Sequence, residues 1–205
     1  EGISSDGSPY KMAIFTCAIV ISLWLLASIL SGNYSQVDKI WSIVPFIYTW
    51  YPVCDSRTLL MACLATIWGL RLTWNFKRRG GYRWPPWQGD EDYRWEVIRT
   101  GGFLKILTNP VVWHVFNLTF VSIYQNLLLL AIAAPSYVAF TLATSCHSYI
   151  RPINELDVVS AILFLAFVVI EGVADNQQYT FQTEKNRLKK EQGKLYGEYA
   201  DGFKQ

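Results

Sequence analysis

Five apolar runs separated by polar connections organise this chain of 205 residues. They read as Met12–Leu30, Ile40–Val53, Thr58–Phe76, Val111–Ala134 and Leu156–Ala174. A helix needs roughly 20 apolar residues to cross a bilayer core, and in lipid its backbone must find its hydrogen bonds internally. Met12–Leu30 contains no charged residue and meets this requirement most clearly. It is too long for a cleaved signal sequence and lacks a convincing cleavage site, so it is predicted to stay in the membrane. Ile40–Val53 is the weakest run: it is short, contains Pro45, and reads as a kinked or re-entrant segment. The expected fold is an all-α integral membrane protein, a bundle of about five transmembrane helices. Residues 1–11 form a tail and 12–205 a single membrane domain, because such helices bury themselves only against one another.

The basic residues fall in two polar segments. One is the loop 77–110, with Lys77, Arg78, Arg79, Arg83, Arg94, Arg99 and Lys105; the other is the tail 175–205. Five crossings place both on one face, which the positive-inside rule makes cytosolic, in the endoplasmic reticulum or another internal membrane. The N-terminus and the connections 52–57 and 136–155 then lie opposite. Cys54 and Cys146 would share that oxidising side, where a disulfide is left open, whereas Cys17 and Cys63 sit inside apolar runs. The sequons at Asn33 and Asn117 fall in a cytosolic turn and inside a span, so neither should carry glycan. Between Gly80 and Gly102, prolines, glycines and aromatics suggest an ordered element at the headgroups. The tail from Thr183 is charged and helix-permissive.

Composition narrows the function classes. The chain is 52% hydrophobic with 9 Trp and 12 Tyr, which suits two membrane interfaces. A net charge of +2 gives nothing that points to nucleic acid. Two histidines and no Cys-x-x-Cys pair argue against a zinc site. No phosphate-binding glycine loop, dinucleotide fingerprint or nucleophile elbow is present.

Ionisable groups inside apolar helices cost about 2.5–3.5 kcal/mol each on insertion scales, so they mark a site. Arg71, Asn75 and Arg78 follow helical spacing and share one stripe of the third run. Glu171, Asp175 and Gln178 do the same at the end of the fifth. Asp38, Arg71, Asn75, His114, Glu171 and Asp175 gather near the cytosolic mouth of the predicted bundle. Arginines there suit phosphates, and carboxylates suit ribose hydroxyls or an amide. Ion pairs that merely pin helices together are the competing explanation for any one of them. Tyr124, Gln125 and Asn126, in mid-span, would line a cavity or bond between helices.

The stretches Asn33-Tyr-Ser-Gln-Val-Asp-Lys-Ile-Trp-Ser42, Trp68-Gly-Leu-Arg71, Arg78-Arg-Gly-Gly81, Glu91-Asp-Tyr-Arg94-Trp95 and Glu171-Gly-Val-Ala-Asp175-Asn-Gln-Gln178 occur in this order. Together they resemble the steroid 5α-reductase-like membrane proteins, and more closely the branch labelled only as a domain of unknown function. The resemblance runs from about Asn33 to Gln205. It implies a multi-helix reductase that takes NADPH from the cytosolic side and reduces an electron-poor carbon–carbon double bond in a lipophilic small molecule. Asp175 matches an acidic position that contacts the nucleotide, and Arg71 and Arg78 match basic positions. Asn75, Arg94 and Glu171 complete the expected cofactor set. The Glu and Tyr with which that family polarises a steroid ketone have no clean match, which leaves Asp38, Tyr48 and Tyr51 as proton-donor or carbonyl-polarising candidates. The family continues with a Ser-Arg-His-Pro-Asn-Tyr-like stretch, so the chain is expected to be incomplete at its C-terminus. Two rival expectations stand beside the reductase: an S-adenosylmethionine-dependent membrane methyltransferase and a non-enzymatic scaffold.

Overall fold

A computed structural model describes residues 8–82, 91–102, 104–145 and 152–192, and all regular structure within them is helical. Four helices are long and apolar enough to cross a membrane: Pro9–Ser31, Ser56–Arg78, Pro110–Ile132 and Glu155–Glu191. The chain forms two compact units, Glu1–Val159 and Ser160–Gln205.

In the first unit, α1 (Ser8–Ser31) is apolar on every side, as a lipid-embedded helix must be. Its buried stripe is Ala13, Cys17, Val20 and Ser28, while Phe15, Leu23, Leu26 and Leu30 remain exposed. The buried residues are small, which lets another backbone come close. The partner is a long composite helix: α5 (Pro110–Phe116), a π-helical segment Asn117–Tyr124, and α6 (Gln125–Ile132). Asn109 caps its start by accepting from the Val111 amide at 2.9 Å. The two run antiparallel. The fully buried Asn117 donates to the Ser28 hydroxyl at 3.1 Å, and the Cys17 thiol reaches the Asn126 carbonyl oxygen at 3.8 Å. Tyr10 meets α7 (Ala134–Ser145) through Tyr137 and Thr141. Asn117, one of the two sequon asparagines, is thus an interhelical hydrogen-bonding group.

The run 40–53 does not form one long helix. Only Val44–Trp50 is α-helical. These seven residues, α2, span about 10 Å, so α2 alone cannot cross a bilayer core. Pro45 sits at its start and Pro52 follows its end. The segment nevertheless runs antiparallel along α3 (Ser56–Arg78) for most of that helix. Ser42 bonds Thr73 at 2.8 Å, Trp50 donates to Thr66 at 3.0 Å, and the Cys54 and Asp55 amides donate to Thr58 at 3.0 Å. Thr58 to Thr73 of α3 rises about 22 Å, so 40–55 traverses the depth of the unit with one short helix flanked by turns. Asp55 and Thr58 form a reciprocal capping box at the start of α3.

These contacts sort the unit into two ends. At one end lie Asn33–Lys39, the C-terminus of α3, and the connection that leads into α5. At the other lie Tyr10, Tyr51, Asp55, Tyr137 and the first turn of α8 (Glu155–Gln192). There Arg57 grips Asp157 with two bonds of 2.9 and 2.7 Å. Cys54 is exposed at this second end as a free thiol, and Cys146 lies outside the described residues. The second unit contains the remainder of α8. Its apolar part is almost wholly exposed, and the expected helical tail continues to Gln192, with Arg187 bridging Glu184 and Glu191 at 2.6 and 2.8 Å.

Gly69 is what lets the segment 40–53 lie so close to α3. A Cβ there would stand 2.6 Å from the Ser42 carbonyl oxygen and would collide with the Phe46 ring. Gly69→Val should therefore destabilise the detergent-solubilised protein by about 1–3 kcal/mol, the usual cost of overpacking. Thermal unfolding followed by aggregation measures it, with the exposed Leu70→Val as the control expected to change little.

Candidate functional site

Chemistry-bearing residues converge at the first of these two ends. α3 stops at Gly80, whose φ of +84° suits a residue without a Cβ. The Gly81 amide then closes on the Phe76 carbonyl at 3.1 Å. Tyr82 turns back, its ring edge-on to Phe76 and its hydroxyl donating to the Lys39 carbonyl at 2.8 Å. The two prime elements are short: a 3-10 helix Tyr34–Lys39 and α4 (Tyr93–Arg99). The expected ordered element in the loop is α4; residues 83–90 lie outside the described residues.

The 3-10 helix and α4 clasp each other. The Tyr34 amide donates to Glu91 Oε1 at 2.9 Å, the Asp92 amide donates to Ser35 Oγ at 2.7 Å, and Trp95 Nε1 donates to Asp38 Oδ2 at 3.2 Å. All three pairs are 57 residues apart, so the two segments lie in step. Helix starts leave backbone N–H groups unsatisfied, and here each start is served by a side chain from the other. Arg99 reinforces the clasp, reaching Glu91 at 3.4 Å and lying 5.5 Å from the centre of the Tyr34 ring.

Two cavities meet at the clasp. The polar one, about 420 Å³, is lined by Ser35, Asp38, Arg79, Glu91, Asp92 and Arg94, with Trp41 and Phe76 as apolar walls. The other, about 470 Å³, is mainly apolar, walled by Trp95, Ile98, Phe120, Tyr124 and Leu128. Asp38, Trp41 and Arg94 belong to both. Trp41 is held at the junction by its indole N–H, which donates to Gln125 at 3.3 Å. The apolar wall takes Phe120 and Tyr124 from the π-helical segment; these stack at 5.3 Å, with Phe116 of α5 stacked on Phe120 at 5.0 Å. Such segments are frequent at functional sites.

Electrostatics separate the two acids of the junction. Burial pushes the Asp38 carboxyl above its ordinary range, and the Trp95 N–H, Arg94 and Ser35 offset only part of that. Asp92 moves the other way, held down by the two bonds that Arg94 makes to it at 2.9 and 2.7 Å. Lys39, buried and bonded to Gln36 at 2.9 Å, is pulled below the ordinary lysine range by burial. Two neighbouring carboxyls pushed in opposite directions are a usual signature of divided acid–base roles.

The residues named from sequence divide accordingly. Asp38 and Arg94 stand at the junction. Arg71, Asn75 and Arg78 share a stripe of α3, and Arg78 donates to Asn75 at 2.8 Å, but none of the three lines these two cavities; the next residue, Arg79, does. Tyr48 and Tyr51 are elsewhere: Tyr48 is fully buried and its carbonyl accepts from Tyr137 at 3.0 Å, while Tyr51 bonds Thr16 at 3.0 Å. Both serve the core packing of α1, α2 and α7. Glu171 and Asp175 occupy one face of α8, in the second unit, one turn apart. Sequence reasoning missed Ser35, Trp41, Arg79, Glu91 and Trp95 as site residues, although all five fall in stretches that carry the family resemblance.

If the clasp builds the site, opening it should be visible locally. Glu91→Ala leaves the buried Tyr34 amide without its acceptor, at a cost of about 1–3 kcal/mol. Hydrogen exchange in peptides covering 33–39 should then speed up roughly tenfold or more, with α8 unchanged.

Comparison with known proteins places this arrangement in a family. No solved structure matches the chain significantly. An uncharacterized protein of Schizosaccharomyces pombe, C594.04c, is 28% identical over 187 residues, which covers 87% of this chain and 50% of the relative. The chain thus spans about half the length of the curated relative it matches. The profile of a family described as "Protein of unknown function (DUF1295)" matches residues 23–197. With most of its length inside that match, the chain belongs to the DUF1295 family of proteins of unknown function.

Proposed function

We propose that this chain forms the cofactor- and substrate-binding part of a membrane-embedded NADPH-dependent reductase acting on a carbon–carbon double bond of a lipophilic molecule. The observation that carries this reading is the meeting of a polar and an apolar cavity at Asp38, Trp41 and Arg94. A reaction between a charged cofactor and a greasy substrate needs just such a junction. The donor set of the polar cavity fits a dinucleotide: the guanidiniums of Arg79 and Arg94 for phosphate oxygens, and Ser35 and Glu91 for ribose hydroxyls. Within the same unit, Arg71, Asn75 and Arg78 of α3 stay as further cofactor contacts. The loop 77–110 and the C-terminal tail face the cytosol in this reading, so NADPH arrives from that side.

When bound, NADPH supplies the hydride that reduces one carbon of the double bond. Asp38 does the complementary work. Burial favours its protonated form, and as the proton donor of this reading it gives that proton to the adjacent carbon. The carboxylate left behind accepts from Trp95 and lies beside Arg94, and solvent returns the proton through the polar cavity. Trp41 shields the junction between the two cavities.

A second reading has one observation in its favour. Glu91 and Asp92 line the polar cavity beside Asp38, and the sulfonium of S-adenosylmethionine would gain from neighbouring carboxylates.

Cofactor binding to the detergent-purified, full-length protein separates the two. NADPH should bind, more tightly than NADH. Arg79→Gln and Arg94→Gln should each weaken it roughly tenfold or more, the equivalent of losing one charge-assisted hydrogen bond. Binding of S-adenosylmethionine in place of NADPH would replace the reductase by the methyltransferase, and binding of neither would leave a scaffold.

A further inference from the structure

Trp95 has two faces, and the reaction outlined above uses only its bond to the spent Asp38 carboxylate. Its ring is buried and forms part of the apolar cavity wall with Ile98, Phe120 and Leu128. Its indole N–H points the other way, into the junction, and ends on Asp38 Oδ2 at 3.2 Å. Indole nitrogen is a donor only, so this bond persists whether Asp38 is protonated or ionised, and it leaves the proton to the other oxygen.

We infer that Trp95 is a positioning residue: its N–H holds Asp38 Oδ2 so that the transferable proton sits on Oδ1, at the junction of the polar and apolar cavities. This rests on the reading of Asp38 as the proton donor. The geometry behind it is over-determined. The start of α4 is fastened one turn earlier by the Asp92 amide on Ser35 and by Glu91 on Tyr34, so Trp95 cannot slide along the 3-10 helix. The same ring touches whatever fills the apolar cavity, so substrate contact and proton placement run through one side chain.

The groups facing Asp38 are Ser35 on its own helix, Asp92 and Arg94 at the start of α4, and Glu91 and Arg79 across the polar cavity. None of these is altered when Trp95 is replaced by Phe, which keeps an aromatic wall and removes only the donor.

The test is an infrared titration of the full-length protein in detergent micelles, without cofactor or substrate. The carboxyl C=O band that disappears in Asp38→Asn reports the Asp38 proton. In Trp95→Phe its midpoint should rise by roughly one pH unit, because the ionised form has lost a hydrogen bond, and the band should shift in frequency. Ile98→Ala, which trims the same cavity wall away from the carboxyl, should move neither. An unchanged band in Trp95→Phe, or an equal change in Ile98→Ala, overturns the assignment. Should Trp95→Phe fail to fold, the wild-type protein still decides: one indole N–H resonance must titrate with the Asp38 band and lose that dependence in Asp38→Asn. The absence of such a resonance also refutes the proposal. Because no nucleotide is present, failure here is distinct from failure of the reductase reading, which NADPH binding decides.

Discussion

Everything proposed for this protein depends on two helix starts satisfying each other. A 3-10 helix of six residues and an α-helix of seven have little stability of their own. Each exposes backbone donors at its first turn that would be costly to bury unpaired. Glu91 serves the Tyr34 amide and Ser35 serves the Asp92 amide, so neither helix is complete without the other. The third bond in step, Trp95 to Asp38, is where that structural necessity becomes chemistry. It carries an acid to the boundary between a polar and an apolar cavity.

The frame that presents the clasp is built from close approaches. In lipid there is no hydrophobic force to press helices together, so small residues and buried polar contacts set their distances. Ala13, Cys17, Val20 and Ser28 give α1 a narrow stripe against the composite helix, and Asn117 and Asn126 sit fully buried along the seam. Gly69 performs the same task for α3, letting the segment 40–53 descend beside it. Because that segment returns the chain from the 3-10 helix to the start of α3, the position of Asp38 is set by how closely it packs.

Much of this was legible in the sequence. Apolar runs are a one-dimensional signal, and four of the five match helices long enough to cross a membrane. The fifth was recognised as short and Pro45-marked, but its contacts with Thr58, Thr66 and Thr73 could not be read from periodicity. Asp38 and Arg94, which line both cavities, stand out in the sequence because charge near apolar helices is costly and therefore informative. Tyr48 and Tyr51 line neither cavity, and in sequence a tyrosine near a membrane end looks the same whether its hydroxyl faces a substrate or a neighbouring helix. Glu91, Trp95 and Trp41 were missed as site residues because their roles depend on a pairing across 57 or more positions that no local spacing encodes. The clue was that both partner stretches, Asn33–Ser42 and Glu91–Trp95, carry the family resemblance.

The central claim is that a nucleotide sits in the polar cavity at the clasp. Photolabelling tests it most directly: an azido-substituted NADPH analogue, irradiated on the full-length membrane protein and mapped by mass spectrometry. The account predicts label in peptides containing Ser35–Trp41 and Arg79–Arg94, competed away by NADPH. Competable label confined to other segments, or none at all, would contradict it.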